Sequence, residues 1–269
     1  MKRDGHIHTP FCPHGTDDPF EDYVEAALSF GFTELTFTEH CPLPHGFTDP
    51  VPEKDSAISF SEFPGYIAEM NRIKEKYNGQ ITIHTGLEVD FIEGFEKEIR
   101  ETLQIVGPFL GDSVLSVHFL KNDHHYSCLD YSPEIFEEII SEYGSVEAVY
   151  DRYFQTLLSA VNADLGPFKP KRIGHLTLIK KFQKRFPTAR SYRDEIITVL
   201  DAIKSNGLEL DYNGAGLRKP FCGETYPPNW VVKEATARNI PLVYGSDAHE
   251  AKAIGQGYTE ISKQLHDQM

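Results

Sequence analysis

The sequence predicts an α/β fold in which parallel strands and crossover helices close into a barrel related to the (β/α)8 type. Two observations predict it. Strand-like apolar runs alternate with helically spaced runs along all 269 residues, the signature of a parallel sheet whose strands are joined by helices. Seven of the strand-like runs end in polar residues of the metal-binding and catalytic kinds, and the C-terminal rim of a barrel is where such strand ends meet. An open doubly wound sheet fits the same alternation and stands as the alternative. No internal repeat or linker interrupts the chain, so residues 1–269 read as one domain.

The elements follow in order. Lys2–His8 is the first strand. Pro19–Phe30 is a helix, with Pro19 near its start, Tyr23, Val24, Ala27 and Leu28 at helical spacing, and Gly31 closing it. Thr33–Thr38 is the second strand, and Phe60–Tyr77 a helix stopped by Asn78-Gly79. Gln80–Val89 is the third strand, Phe95–Val106 a helix and Ser113–His118 the fourth strand. Pro133–Ile140 and Val146–Asp164 are helical, and Arg172–His175 is a short fifth strand. Tyr192–Ser205 is a helix ended by Asn206-Gly207, and Leu208–Tyr212 is the sixth strand. Asn229–Asn239 is helical, Pro241–Ser246 is the seventh strand, and the tail reads as helix. Three long polar connections, Pro42–Ser59, Leu120–Ser132 and Gly214–Pro228, follow strands two, four and six and so lie on the catalytic rim.

Composition narrows the function. A hydrophobic content of 40% supports a sizeable core, and no apolar run is long enough to span a bilayer. Met-Lys-Arg-Asp-Gly-His has no apolar stretch behind its charges, so it does not read as a signal peptide. Cys12, Cys41, Cys128 and Cys222 are scattered and form no Cys-x-x-Cys pair, which fits reduced thiols in a cytoplasmic protein. A net charge of −15 without a basic stripe argues against a nucleic-acid backbone as partner.

The chemistry is carried by histidines. In Asp4-Gly5-His6-Ile7-His8 the two imidazoles project to one side of a strand, because side chains repeat with period two. Asp4 lies on that side too, suited to orient a ligand imidazole. Further ligand-type residues close the other strands: Thr38-Glu39-His40, Glu88, His118, Gly174-His175, Asp211-Tyr212-Asn213, and Ser246-Asp247-Ala248-His249, with His14 just beyond the first. Singly, His118 or His175 is an ordinary hydrogen-bonded core residue, and Asp247 an ordinary helix cap. Seven histidines and two carboxylates at strand ends are not independent accidents. The remaining histidines, His45, His84, His124, His125 and His266, stay outside the pattern. Imidazole and carboxylate donors suit borderline divalent metals, and nine of them exceed the needs of one ion. Two or three ions bridged by a carboxylate such as Glu88 clamp both oxygens of an in-line displacement, the chemistry of phosphate-ester hydrolysis.

Asp4-Gly5-His6-Ile7-His8, Glu39-His40, Glu88, His118, His175 and Asp247-Ala248-His249 together resemble the ordered motifs of the PHP (polymerase and histidinol phosphatase) superfamily. The resemblance implies a distorted (β/α)7 TIM-like barrel with three divalent metal ions, zinc, iron or manganese. By resemblance His6, His8, Glu88 and Asp247 hold the first ion. Glu88, His118 and His175 hold the second, and His14, His40 and His249 the third. Thr38-Glu39-His40-Cys41-Pro42 and Asn213-Gly214-Ala215-Gly216-Leu217-Arg218-Lys219 resemble the histidinol-phosphatase branch. That branch implies hydrolysis of L-histidinol phosphate in histidine biosynthesis, with a metal-bridged hydroxide attacking phosphorus. Arg218, after strand six, suits a forked contact to phosphate oxygens, with Lys219 and Asn213 as further substrate contacts and Arg190 a surface residue. Asp247 or His249 is available to protonate the leaving group. Asp49, Glu224, Phe47 and Tyr226 lie in the loops that must receive the substrate's amine and imidazole. The rivals are a PHP phosphoesterase acting on nucleotides or another small phosphate ester, a metal-binding PHP domain without catalysis, and an amidohydrolase barrel. An amidohydrolase bridges its metals with a modified lysine after strand four, where this chain has His118.

Overall fold

The computed structural model describes residues 2–123 and 125–266. Its strands are β1 (Arg3–Ile7), β2 (Glu34–His40), β3 (Thr82–Asp90), β4 (Val114–Ser116), β5 (Phe119–Asn122), β6 (His125–Cys128), β7 (Arg172–Ile173), β8 (Glu209–Asn213) and β9 (Leu242–Gly245). Its helices are α1 (Phe20–Ser29), α2 (Phe63–Lys76), α3 (Glu96–Val106), α4 (Pro133–Tyr143), α5 (Val146–Asn162), α6 (Arg193–Ser205), α7 (Asn229–Ala237) and α8 (Tyr258–His266). Seven strands form one parallel sheet in the order β1-β2-β3-β4-β7-β8-β9.

The sheet curls until its edges meet. Ile7 and Ala248 form a parallel bridge, the Asp247 amide donates to the His6 carbonyl at 2.7 Å, and the His8 amide donates to the Ala248 carbonyl at 2.9 Å. Closure removes the exposed edges that an open sheet would present. The alternative of an open doubly wound sheet is thereby set aside. The barrel is distorted where β4 and β7 shrink to three and two residues, shorter than the sequence suggests.

Strand residues beyond Glu34 in β2 are buried on both faces, as expected where helices cover the outside and side chains fill the inside. The helices contribute apolar faces, such as Phe20, Tyr23, Val24 and Ala27 of α1. Ser132 and Ser145 cap α4 and α5, their hydroxyls accepting from the amides of Ile135 (3.2 Å) and Ala148 (3.1 Å). The hairpin β5–β6 is an addition: the sequence reading gave Leu120–Ser132 as a polar loop, and its antiparallel pairing runs from Phe119↔Cys128 to Asn122↔His125. Tyr126 of this hairpin packs against Phe47 and Phe95, which fixes it beside the barrel mouth.

The floor of the barrel is ionic. Arg172 is wholly buried and lies against Asp112, which also receives Arg3. The Arg172 guanidinium reaches the Gly5 carbonyl, and a Cβ at Gly5 would sit 2.8 Å from Arg172 Nη1 and 2.5 Å from Val243 Cγ1. The glycine between Asp4 and His6 is therefore a packing requirement. No helix among the described residues is long and apolar enough to cross a membrane.

Candidate metal centre

Five other strand ends gather around Glu88 of β3. Its Oε2 lies 3.4 Å from His6 Nε2, 3.4 Å from His8 Nε2 and 3.4 Å from His40 Nδ1. Its Oε1 lies 2.8 Å from His175 Nε2 and 3.7 Å from His118 Nε2, and accepts from Ser116 Oγ at 2.6 Å. One carboxylate thus faces imidazoles on both sides. Asp247 closes the first side, with Oδ1 3.3 Å from His8 Nε2 and 3.9 Å from His6 Nε2. On the second side His118 Nε2 and His175 Nε2 stand 3.2 Å apart. His175 and Asp247 reach these positions from left-handed backbone, at φ 29° and 55°, a strain of the kind that collects at functional sites.

Buried carboxylates orient the rings. Asp211 Oδ2 holds His6 Nδ1 at 3.0 Å and Asp90 Oδ1 holds His118 Nδ1 at 2.7 Å. Glu39 Oε1 is 3.5 Å from His8 Nδ1. The hydrogen bonds occupy Nδ1 of His6 and of His118 and leave each Nε2 to face Glu88, the usual support for a metal-binding imidazole, while Glu39 stands beside His8 Nδ1 without bonding it. Gly245 makes room for one of them, because a Cβ there would lie 2.4 Å from Asp211 Oδ1 and 2.7 Å from His6 Cβ. Asp4, expected to orient an imidazole, does something else. Its carboxylate accepts from the backbone amides of Ser246 (2.9 Å) and His6 (3.4 Å), so it staples the closing seam of the barrel.

The buried donors suit cations. Burial opposes ionisation of Glu88, yet the charges of His6 and His118 hold its pKa well below the usual carboxylate range. Burial likewise opposes ionisation of Asp247, and His6 and His8 pull it down. His6 Nε2, both nitrogens of His8 and both of His40 make no hydrogen bond although buried. Buried polar atoms without partners are costly, and divalent ions would satisfy them. Four sets of donor atoms lie within 4.8 Å of one another: His6, His8 and Glu88; His6, His175 and Asp247; Glu88, His118 and His175; and His8, Cys12, His40 and His249. His14, expected beside His40 and His249, is in none of these sets. Its ring packs 4.9 Å from that of His40, but its Nδ1 pairs with the Asp55 carbonyl at 2.8 Å.

Comparison with known proteins follows the same lines. The PHP domain family matches residues 4–215, and the PHP-associated (PHP_C) family matches residues 231–269. The chain belongs to the PHP domain family. The Bacillus subtilis (strain 168) histidinol-phosphatase is 52% identical over 260 residues, covering 96% of this PHP chain and 97% of that protein. A crystal structure of hisK from Listeria monocytogenes superposes with a TM-score of 0.93 at 41% identity, covering 96% and 99% of the two chains. Histidinol phosphate phosphatase from Lactococcus lactis, crystallised with zinc, L-histidinol and phosphate, shares the fold at a TM-score of 0.72 and 20% identity, covering 98% and 93%.

The PHP donor cluster forms the floor of a cavity of about 510 Å³. Two lysines line it. Lys181 is paired with Asp130 at 2.9 Å, and Lys219 stands at the exposed rim. Nothing in the sequence singles out Lys181, which lies in a basic run after the very short β7. The placement of Arg218 is a correction. Its side chain is 62% exposed, points away from the cavity lining and pairs with Glu260 at 3.8 Å. It ends a turn of 3-10 helix, Ala215–Leu217, whose phase sends Arg218 outward and Lys219 toward the rim. Asn213 is corrected as well. It is wholly buried, donating to Asp211 Oδ2 (3.1 Å) and Asp247 Oδ2 (3.2 Å) while accepting from the Ala215 amide, so it positions carboxylates rather than substrate.

Of the loop residues expected near the substrate, only Tyr226 lines the cavity. Asp49 is spent on its own loop, accepting from Val51 and Ser56. Glu224 pairs with Lys180 at 2.7 Å, and Phe47 packs into the Phe95–Phe119–Tyr126 aromatic group. Arg190 pairs with Asp151 and Glu195 on the surface. His45 is exposed, while His84 and His125 pair with Glu34 and Glu142. His124 and the side chain of His266 lie outside the described residues.

Proposed function

We propose that residues 1–269 act as one barrel domain, a phosphomonoesterase that hydrolyses L-histidinol phosphate to L-histidinol and phosphate in histidine biosynthesis. The observation that carries this reading is the set of imidazoles facing both oxygens of the buried Glu88 beneath an open cavity. The 52% identity to a histidinol-phosphatase over nearly the whole chain supports the substrate.

The donor set fits three divalent ions, and zinc, iron and manganese all accept imidazole with carboxylate. His6, His8, Glu88 and Asp247 would hold one, Glu88, His118 and His175 a second, and His40 and His249 a third, with His14 alongside. Such ions supply Lewis-acid charge to the phosphoryl oxygens and lower the pKa of water.

The chain's own groups do the rest. Asp211 and Asp90 fix the tautomers of His6 and His118, so each Nε2 lone pair is available before substrate arrives. Lys181 and Lys219 present positive charge to the phosphate from the cavity wall, in place of Arg218. Asp55, Asp130 and Glu250 give the cavity an acidic lining that complements the substrate's ammonium group, and Tyr131 and Tyr226 offer aromatic surface to its imidazole. Asp247 and His249 face the cavity and handle the proton of the leaving alkoxide. Steady-state phosphate release from a panel of esters tests the reading. L-histidinol phosphate should give the highest kcat/KM, and a preference for nucleoside monophosphates would reject it.

A further inference from the structure

Beside the Glu88 cluster sits a sulfur. Cys12 is 5% exposed, and its Sγ lies within 4.8 Å of donor nitrogens of His8, His40 and His249, which are themselves within that distance of one another. A tetrahedral zinc ion, with bonds of about 2.0–2.3 Å, places its ligands roughly 3.3–3.8 Å apart, so a contraction of at most about 1.0–1.5 Å brings the set to ligation distance. His8 and His40 are 0% and 6% exposed, and no ring nitrogen of either makes a hydrogen bond. The backbone holds the sulfur in place. The Cys12 amide donates to the Thr9 carbonyl (2.9 Å), the Gly15 amide donates to the Cys12 carbonyl (3.0 Å), and the Thr16 amide ties this turn to the His249 carbonyl (3.1 Å). The other three cysteines are elsewhere: Cys41 lines a separate small pocket with Val89 and Ile99, Cys128 Sγ turns to Asp130 Oδ1 at 3.4 Å and Cys222 Sγ to the Glu224 carbonyl at 3.6 Å.

We propose that Cys12 is a metal ligand, its thiolate joining His40 and His249 on the third ion. His8, whose Nε2 faces Glu88 and Asp247, marks the border with the neighbouring ion. The inference rests on the metal-centre reading above. It differs in making one of the three sites a mixed nitrogen–sulfur site, in which the thiol releases its proton to solvent as the sulfur–metal bond forms. A thiolate draws the site toward zinc and away from manganese or magnesium, while the other two keep oxygen and nitrogen donors only.

The test is the electronic spectrum of protein stripped of metal and titrated with cobalt(II), with the bound cobalt counted. Thiolate ligation gives a sulfur-to-cobalt charge-transfer band in the near ultraviolet. The band should grow in the native protein, vanish in Cys12→Ser and Cys12→Ala, and persist in Cys128→Ser. Native protein that binds cobalt without the band overturns the proposal, as does a band that survives both Cys12 substitutions. Turnover of L-histidinol phosphate by the same native samples reports separately on the phosphatase reading, which stands or falls without the sulfur. Protein that binds no cobalt at all would overturn both.

Discussion

Asp211→Asn isolates the orienting carboxylates from the metal ligands themselves. Asp211 is wholly buried and its Oδ2 takes both His6 Nδ1 (3.0 Å) and Asn213 Nδ2 (3.1 Å). Its Oδ1 has no hydrogen-bond partner and abuts Gly245. Asparagine has the same shape, so its amide oxygen can keep both hydrogen bonds while its nitrogen fills the place of Oδ1. What is lost is a negative charge on the far side of the His6 ring, which makes His6 a weaker donor. Removing such a partner typically lowers metal affinity by about 10–100-fold, or roughly 1.4–2.8 kcal/mol at 1.4 kcal/mol per tenfold. The metal-free protein should not lose stability, because an incompletely paired buried charge has been removed. Competition with a chromogenic chelator measures the affinity, and the melting temperature of the metal-free protein measures stability. Unchanged affinity, or a loss that appears only together with a lowered melting temperature, would refute the role assigned to Asp211.

Three further outcomes are expected. Lys181→Met should lower kcat/KM on L-histidinol phosphate by roughly 10–150-fold, the equivalent of one charge-assisted hydrogen bond of about 1.5–3 kcal/mol; an effect within twofold would remove it from the phosphate site. Arg218→Ala should leave kcat/KM within a few fold, since its exposed side chain reaches Glu260 and not the cavity, and a hundredfold loss would restore the role suggested by sequence. Asp112→Ala should destabilise the barrel by about 3–5 kcal/mol in chemical denaturation, because it leaves the buried Arg172 with only Glu209, 3.8 Å away, as a carboxylate partner. In the native protein burial opposes ionisation of Asp112, but Arg172 and Arg3 lower its pKa below the ordinary 3.8. Its contribution is therefore full above about pH 4 and is lost as pH falls through the depressed value; a variant that keeps the native acid sensitivity would contradict this.

The candidate ligand positions were legible because a barrel brings every strand's C-terminal end to one rim. His6 and His8 share one side of their strand, His118 follows an apolar stretch, and Glu88 and His175 lie at the ends of theirs, so chain order sufficed to bring them together. What orients them was harder to read. Asp211 touches His6 only because barrel closure brings β1 beside β9, next to β8, and sequence did not decide closure. Asp4 looked like the natural partner of a nearby imidazole, but its carboxylate is taken by the Ser246 amide across the closing seam, beside a register irregularity between Asp4 and Ile7. Arg218 and Lys219 are adjacent, and a single turn of 3-10 helix decides which one meets the cavity. Lys181 follows a two-residue strand whose signal is too short to place what comes next. The β5–β6 hairpin was hidden because its strands are short and mostly polar, so they lack an apolar alternation.

The central claim is that ions held around Glu88 are required for turnover of L-histidinol phosphate. Stripping the protein of metal and restoring zinc in measured increments, with phosphate release followed at each step, tests it most directly. Activity should be absent in the stripped protein, rise with bound zinc and reach its plateau only as the third ion binds. Turnover that persists in the stripped protein, or that ignores the zinc restored, would contradict the account.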